Sequence, residues 1–228
     1  MYKLVTIIPI SNFSNSKTRL SPFLSEIERK ELLKCMLKDI VSNIRSSVEE
    51  IIVISKDEKV LEYAQSLGLK CLNEREHESD YLNNSLLDSI SYVKDNYSDA
   101  NILMLPADIP LIKQRNIQYI LENKNDFIIS PSKGGGTNLL YINNEYTFKP
   151  QFGEFSFFKH VDEARRLAMN PNIYDSFYLS IDINTPQDLG ELLLHGKNTY
   201  TFKYLNSLDI VVENNHGGER LNVYRKNE

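Results

Sequence analysis

Short, nearly continuous runs of apolar and β-branched residues recur along this chain, separated by longer segments with apolar residues at helical spacing. Leu4 to Ile8, Ile51 to Ile54 and Ile102 to Leu105 are such runs, the pattern of strands buried on both faces. After the first, Ser25 and Glu28 form a capping box, and Leu33, Met36, Leu37, Ile40, Val41 and Ile44 line one face of the helix it opens. Further helices are predicted from Lys59 to Leu67 with Gly68 as the stop, along Leu82, Leu86, Leu87, Ile90 and Val93, from Ile112 to Leu121, and from Ser156 to Met169. Short strands are predicted at residues 69–73, on both sides of a glycine run near residue 135, and from Tyr178 to Ile183. Thr185 suits an N-cap, Pro186 the first helical position and Asp188 the first turn of one more helix. Asp209 to Glu213 and Leu221 to Tyr224, joined through Asn214 to Glu219, read as a C-terminal hairpin. This alternation predicts an α/β fold whose central sheet is mostly parallel and carries helices on both faces. Ligands of such sheets bind beyond the carboxyl ends of the strands.

The 228 residues suit one domain spanning 1–228, with 198–228 as a C-terminal extension that holds the hairpin. A net charge of −5 argues against nucleic acid as a partner, because phosphate-backbone binding needs a basic footprint. No apolar run approaches the roughly 20 residues that cross a bilayer, so no membrane partner is expected. Met1 to Pro9 reads as a first strand rather than a signal peptide. Cys35 and Cys71 lack motif spacing and read as free thiols in a reducing cytoplasm. The four histidines are scattered and predict no zinc site.

Four polar clusters fall where loops meet at the strand ends. Only nine glycines occur in the chain, and three are consecutive in Lys133-Gly134-Gly135-Gly136-Thr137-Asn138. Converging glycine N–H groups make an anion-binding concavity, although such a run more often serves turn geometry. Gly153 and Ser156 follow, and a hydroxyl at a helix start either caps the helix or holds a phosphate. The P-loop spacing is absent. Asn15-Ser16-Lys17-Thr18-Arg19 places two cations after the first strand, suited to a polyphosphate or simply to water. Asp108 stands at the end of an apolar strand between Pro106 and Pro110, and Asp182 ends another apolar run. Mg²⁺ takes one or two protein carboxylates and leaves its remaining positions to phosphate and water. The residues by themselves therefore point to a Mg²⁺-dependent nucleotide or sugar-nucleotide enzyme.

Ser16 to Pro22, Leu82-Asn83-Asn84-Ser85-Leu86, Pro106-Ala107-Asp108-Ile109-Pro110-Leu111, Lys133 to Asn138, and Asp175-Ser176-Phe177 with Asp182 to Leu189 occur in this order. The set resembles the archaeal 2-phospho-L-lactate guanylyltransferase family of coenzyme F-420 biosynthesis. The resemblance implies a Rossmann-like, three-layer nucleotidyltransferase of glycosyltransferase-A-like class. It implies that GTP and a small phospho-acid are the partners and that the product is lactyl-2-diphospho-5′-guanosine. Phosphoenolpyruvate and 3-phosphoglycerate are the alternative acceptors. By position it assigns Asp108 and Asp182 to Mg²⁺. Lys17 and Arg19 fall to the triphosphate and Asn83 to the nucleotide. Thr137, Gly153 and Ser156 fall to the phospho-acid, and the nest of Gly134, Gly135 and Gly136 read from the glycine run would fix it beside them. Two positions depart from the pattern: Ser11 stands where a Lys is frequent, and Ser85 where Ala is usual. A molybdopterin or sugar-phosphate nucleotidyltransferase would instead carry a glycine-rich first loop, and no glycine precedes Gly68. A non-catalytic nucleotide-binding protein would have no need of both carboxylates. The hairpin offers an edge strand for a homodimer.

Overall fold

The computed structural model describes residues 3–14, 16–123, 125–214 and 221–226. Seven strands form the central sheet: β1 (Lys3–Pro9), β2 (Glu50–Ser55), β3 (Lys70–Asn73), β4 (Ala100–Met104), β5 (Phe127–Pro131), β6 (Thr137–Ile142) and β7 (Pro171–Ile173). Their order is β3-β2-β1-β4-β6-β5-β7. The β1, β2, β3 and β4 pairings are parallel, as is β5 with β7, while β6 runs antiparallel to both β4 and β5. The continuous apolar runs are the central strands, and their residues alternate between two cores. Leu4 and Ile8 belong to one, Val5 and Ile7 to the other, and all four are buried.

Helices α1 (Glu26–Ile44), α2 (Glu58–Ser66), α4 (Gln114–Glu122), α7 (Pro186–His195) and α8 (Tyr200–Ser207) contribute to the first core. Helices α3 (Tyr81–Asn96) and α5 (Ser156–Arg166) contribute to the second. The predicted caps are present. Ser25 Oγ accepts from Glu28 N, and Glu28 returns a carboxylate oxygen to Ser25 N at 2.8 Å. Asp188 Oδ2 accepts from the N–H groups of Asn184 and Thr185 at 3.0 and 2.8 Å. Gly68, at φ 70°, ends the α2 turn in the left-handed region where glycine is least strained.

Three expectations are corrected. Tyr178 to Ile183 is no strand: Phe177–Ser180 is a short helix, α6, and the unforeseen β7 pairs with β5 instead. The apolar alternation there is real, since Leu179, Ile181 and Ile183 are fully buried. That segment crosses the strand ends with isolated bonds, such as Ile183 N to Asp108 O at 2.9 Å, and so forms no ladder. The helix predicted to reach Met169 stops at Arg166, and Ser156 is its first residue rather than its cap, which is Phe155 at φ 52°. Helix α8 was not predicted. Thr199 caps it, and the buried Asp39 of α1 accepts from Tyr200 N, Thr201 N and the Thr201 hydroxyl.

The hairpin strands are β8 (Ile210–Asn214) and β9 (Leu221–Arg225), paired antiparallel. The joining residues 215–219 lie outside the described residues, as does Asn15 of the basic loop. The hairpin packs on α7 at Gly190, where a Cβ would come within 3.0 Å of both Leu221 and Val223 side chains.

Candidate active site

Because β1, β2 and β4 are parallel, the loops after them emerge at one edge of the sheet. The loop after β1 is held from several sides. Phe13 is fully buried and its N–H bonds Asp57 at 3.2 Å, while Arg29 of α1 bonds the carbonyls of Ser16 and Leu24. Lys17 then takes a left-handed conformation, φ 58°, ahead of a 3-10 turn over Thr18–Leu20. For a residue with a Cβ this is a strained placement, of the kind that concentrates at functional sites. Its ammonium donates to Asp108 and, at 3.0 Å, to Asn184 Oδ1.

Asn184 extends the connection by donating its amide to Asp182. Asn138 donates to Asp182 Oδ1 at 3.4 Å and to Leu179 O at 2.7 Å. Asp108, Lys17, Asn184 and Asp182 thus form one polar chain between segments far apart in sequence. Burial, and after it the neighbouring Asp108 charge, pushes the Asp182 carboxyl above its ordinary range. Asp108 Oδ1 is buried with no hydrogen-bond partner. Two carboxylates against one ammonium, one carboxylate destabilised and the other with an open oxygen, is a donor set that a hard cation fits. Among the described residues no cluster of three or more acidic, His or Cys side chains is available for a metal.

The glycine run closes a tight turn. Gly135 adopts φ 80°, and a Cβ on Gly136 would lie 2.9 Å from Ser132 Oγ. Gly135 N bonds Ser132 O at 3.1 Å and Gly136 N bonds Ser132 Oγ at 2.9 Å. Two of the three N–H groups expected for an anion nest are therefore used inside the turn. Lys133 faces Asp188 at 4.0 Å.

Successive residues at the start of β6 point to opposite faces, which is why Asn138 reaches Asp182 while Thr137 turns to α5. Thr137 Oγ1 lies 3.0 Å from Ser156 Oγ and 2.9 Å from His160 Nδ1, with all three residues buried. His160 Nε2 accepts from Gln151 N at 2.8 Å. Burial holds the imidazole down to about 4, so the ring is neutral at neutral pH. With Nε2 accepting, the proton sits on Nδ1 and is donated to Thr137. That leaves the Thr137 hydroxyl to hydrogen-bond with Ser156.

A cleft of about 500 Å³ opens beside Lys17 and Asp108. Asn83 does not line it directly. Its amide bonds both the N–H and the carbonyl of Phe152, at 2.7 and 3.1 Å, and Phe152 forms part of the wall. Ser11, at the position of the frequent Lys, lines the cleft. Arg19 is exposed and makes no ion pair among the described residues. Gly153, at φ 130°, has open space beside its α-carbon.

Lys17, Asp108 and Asp182 are brought together; Thr137 and Ser156 form a second group across β6. Sequence reasoning passed over Asn138, Asn184, Ser132 and His160. Asn184 stands two residues from Asp182 in an extended segment and His160 four from Ser156 on a helix. Both spacings put side chains on a shared face.

Over residues 4–226 the chain matches the family described as Guanylyl transferase CofC like. It is 66% identical, over the full length of both chains, to a 2-phospho-L-lactate guanylyltransferase from Methanosphaera stadtmanae. Its fold is similar to that of a candidate nucleotide-diphospho-sugar transferase from Desulfovibrio desulfuricans, with TM-score 0.75 at 15% identity over 92% of this chain and 96% of that one. A nucleotidyl transferase from Methanothermobacter thermautotrophicus shares the fold at TM-score 0.61 and 13% identity, over 91% of this chain and all of the other.

Proposed function

The chain belongs to the CofC-like guanylyl transferase family, and from that premise we propose that it transfers GMP from GTP to 2-phospho-L-lactate. The products would be lactyl-2-diphospho-5′-guanosine, an intermediate of coenzyme F-420, and pyrophosphate. The observation that carries the reading is the chain Asp108–Lys17–Asn184–Asp182 at the carboxyl edge of the parallel strands.

A phosphate oxygen of the acceptor attacks the α-phosphorus of GTP, a new P–O bond forms, and the bond to the bridging oxygen of pyrophosphate breaks. The phosphate is already largely ionised at pH 7, so no side chain need act as base. Asp108 and Asp182 would hold Mg²⁺, which when bound offsets the negative charge of the phosphates. Lys17 stabilises the leaving pyrophosphate in this reading, with Arg19 of the same loop meeting the triphosphate from the solvent side. Asn83 serves the nucleotide by fixing Phe152. The acceptor docks against Gly134, Gly135, Gly136, Gly153 and Ser156, with Thr137 acting through the Ser156 hydroxyl.

The test is pyrophosphate release from GTP and Mg²⁺ with 2-phospho-L-lactate, phosphoenolpyruvate or 3-phosphoglycerate. Release that requires 2-phospho-L-lactate and exceeds that with the other acids is expected. Release independent of any acceptor, or none at all, would overturn the reading. We further propose a homodimer paired through the free edge of the β8–β9 hairpin, and a monomeric mass by light scattering would refute it.

A further inference from the structure

Away from Lys17 and Asp108, the same cleft is lined by Glu74, Ser85, Tyr81 and Phe152. We propose that Glu74 reads the guanine base, with Ser85 orienting its carboxylate; this deepens, and rests on, the guanylyl transfer argued above. Glu74 follows β3 directly, and its N–H bonds Ser55 O at 3.0 Å, so its backbone is tied to the sheet. Ser85 of α3 is 2% exposed and donates its hydroxyl to Glu74 Oε1 at 2.7 Å. Oε2 accepts nothing among the described residues. The result is a carboxylate with one oxygen fixed by the protein and acceptor capacity to spare, on a residue that lines the cleft.

Guanine carries two adjacent donors on its Watson–Crick edge, N1–H and the N2 amino group, and a carboxylate can accept from both. Adenine presents a lone pair at N1 instead, which a carboxylate repels. A purine lying in the cleft would meet apolar surface from Ile54 and Met104 and the aromatic rings of Tyr81 and Phe152. The span also fits. Three inter-strand steps of about 4.8 Å, roughly 14 Å in all, separate the end of β3 from the end of β4 in the order β3-β2-β1-β4. A nucleoside laid across the strand ends with its α-phosphate at Asp108 would bring its base towards Glu74.

Steady-state kinetics with GTP, ITP and ATP test the assignment, since ITP differs from GTP only by the missing N2 amino group. The wild-type enzyme should favour GTP over ITP in kcat/KM by about 10- to 100-fold, the range for a hydrogen bond to a charged group. In Glu74→Gln the KM for GTP should rise and the GTP/ITP ratio should fall towards one, with the acceptor KM unchanged. Ser85→Ala keeps the carboxylate but frees it, so its ratio should fall part of the way; it carries the same test if Glu74→Gln does not fold. A wild-type GTP/ITP ratio retained in folded Glu74→Gln, or in Ser85→Ala when that variant alone is available, would overturn the assignment. A wild-type enzyme indifferent between GTP and ATP would overturn the guanylyl reading itself, and the assignment with it.

Discussion

Replacing Thr137 with Val removes one hydroxyl at nearly constant shape, and its surroundings define the consequence. The hydroxyl oxygen lies 2.9 Å from His160 Nδ1 and 3.0 Å from Ser156 Oγ, among side chains that are 0% and 1% exposed. His160 cannot turn to another acceptor, because its Nε2 is held by Gln151 N at 2.8 Å. Leaving the Nδ1–H buried and unpaired costs about 1–3 kcal/mol, and losing the bond to Ser156 about 0.5–1.5 kcal/mol more. A total near 3 kcal/mol corresponds, for a chain of this size, to a Tm lower by roughly 6–12 °C. Thermal unfolding followed by circular dichroism measures it, and Thr137→Ser, which keeps the hydroxyl, should recover most of the loss. Ser156 also loses the partner that orients it, so the KM for the phospho-acid should rise about tenfold, as for one charge-assisted bond, while the KM for GTP stays unchanged. A Thr137→Val protein that melts within the few degrees equivalent to 1 kcal/mol of wild type would refute the buried network. A variant that weakens GTP and spares the acceptor would show the two subsites to be assigned the wrong way round.

Asp108→Asn should lower kcat by about 10²–10³, as when one group that stabilises the transition state is lost, with the fold retained; an unfolded variant by circular dichroism would make Asp108 structural. The buried His160 predicts a pH dependence of stability. Its folded value of about 4 lies below the ordinary 6.5, so between them the unfolded chain binds a proton that the folded chain does not. The stabilisation is therefore complete above about pH 6.5 and is lost as pH falls towards 4, by about 3 kcal/mol from this residue. Urea unfolding at several pH values should show a slope over that window that is absent in a folded His160→Gln variant; equal slopes in the two proteins would exclude His160 as the cause.

By itself, the sequence determined the elements that local physics specifies. Runs such as Ile51 to Ile54, short and β-branched, read as buried strands, and Ser25 with Glu28, or Thr185 with Asp188, announced helix starts because a cap is satisfied within four residues. The strings around Lys17, Asp108, Thr137 and Asp182 could be picked out for the same reason: each is short and contiguous, in or beside a loop between predicted elements. Tertiary structure decided whatever depends on which strand lies beside which. Pro171–Ile173 became an edge strand, while the equally alternating Leu179, Ile181 and Ile183 were buried within a crossing segment, because alternation reports burial and not ladder partners. Ser132 turned two glycine N–H groups inward, a bond no glycine count reveals. Asn184 joined Lys17 to Asp182, His160 became the neutral donor to Thr137, and Ser85 of α3 met Glu74 only in the folded chain. These contacts arise between elements, where the balance of burial and hydrogen bonding is set by the whole sheet.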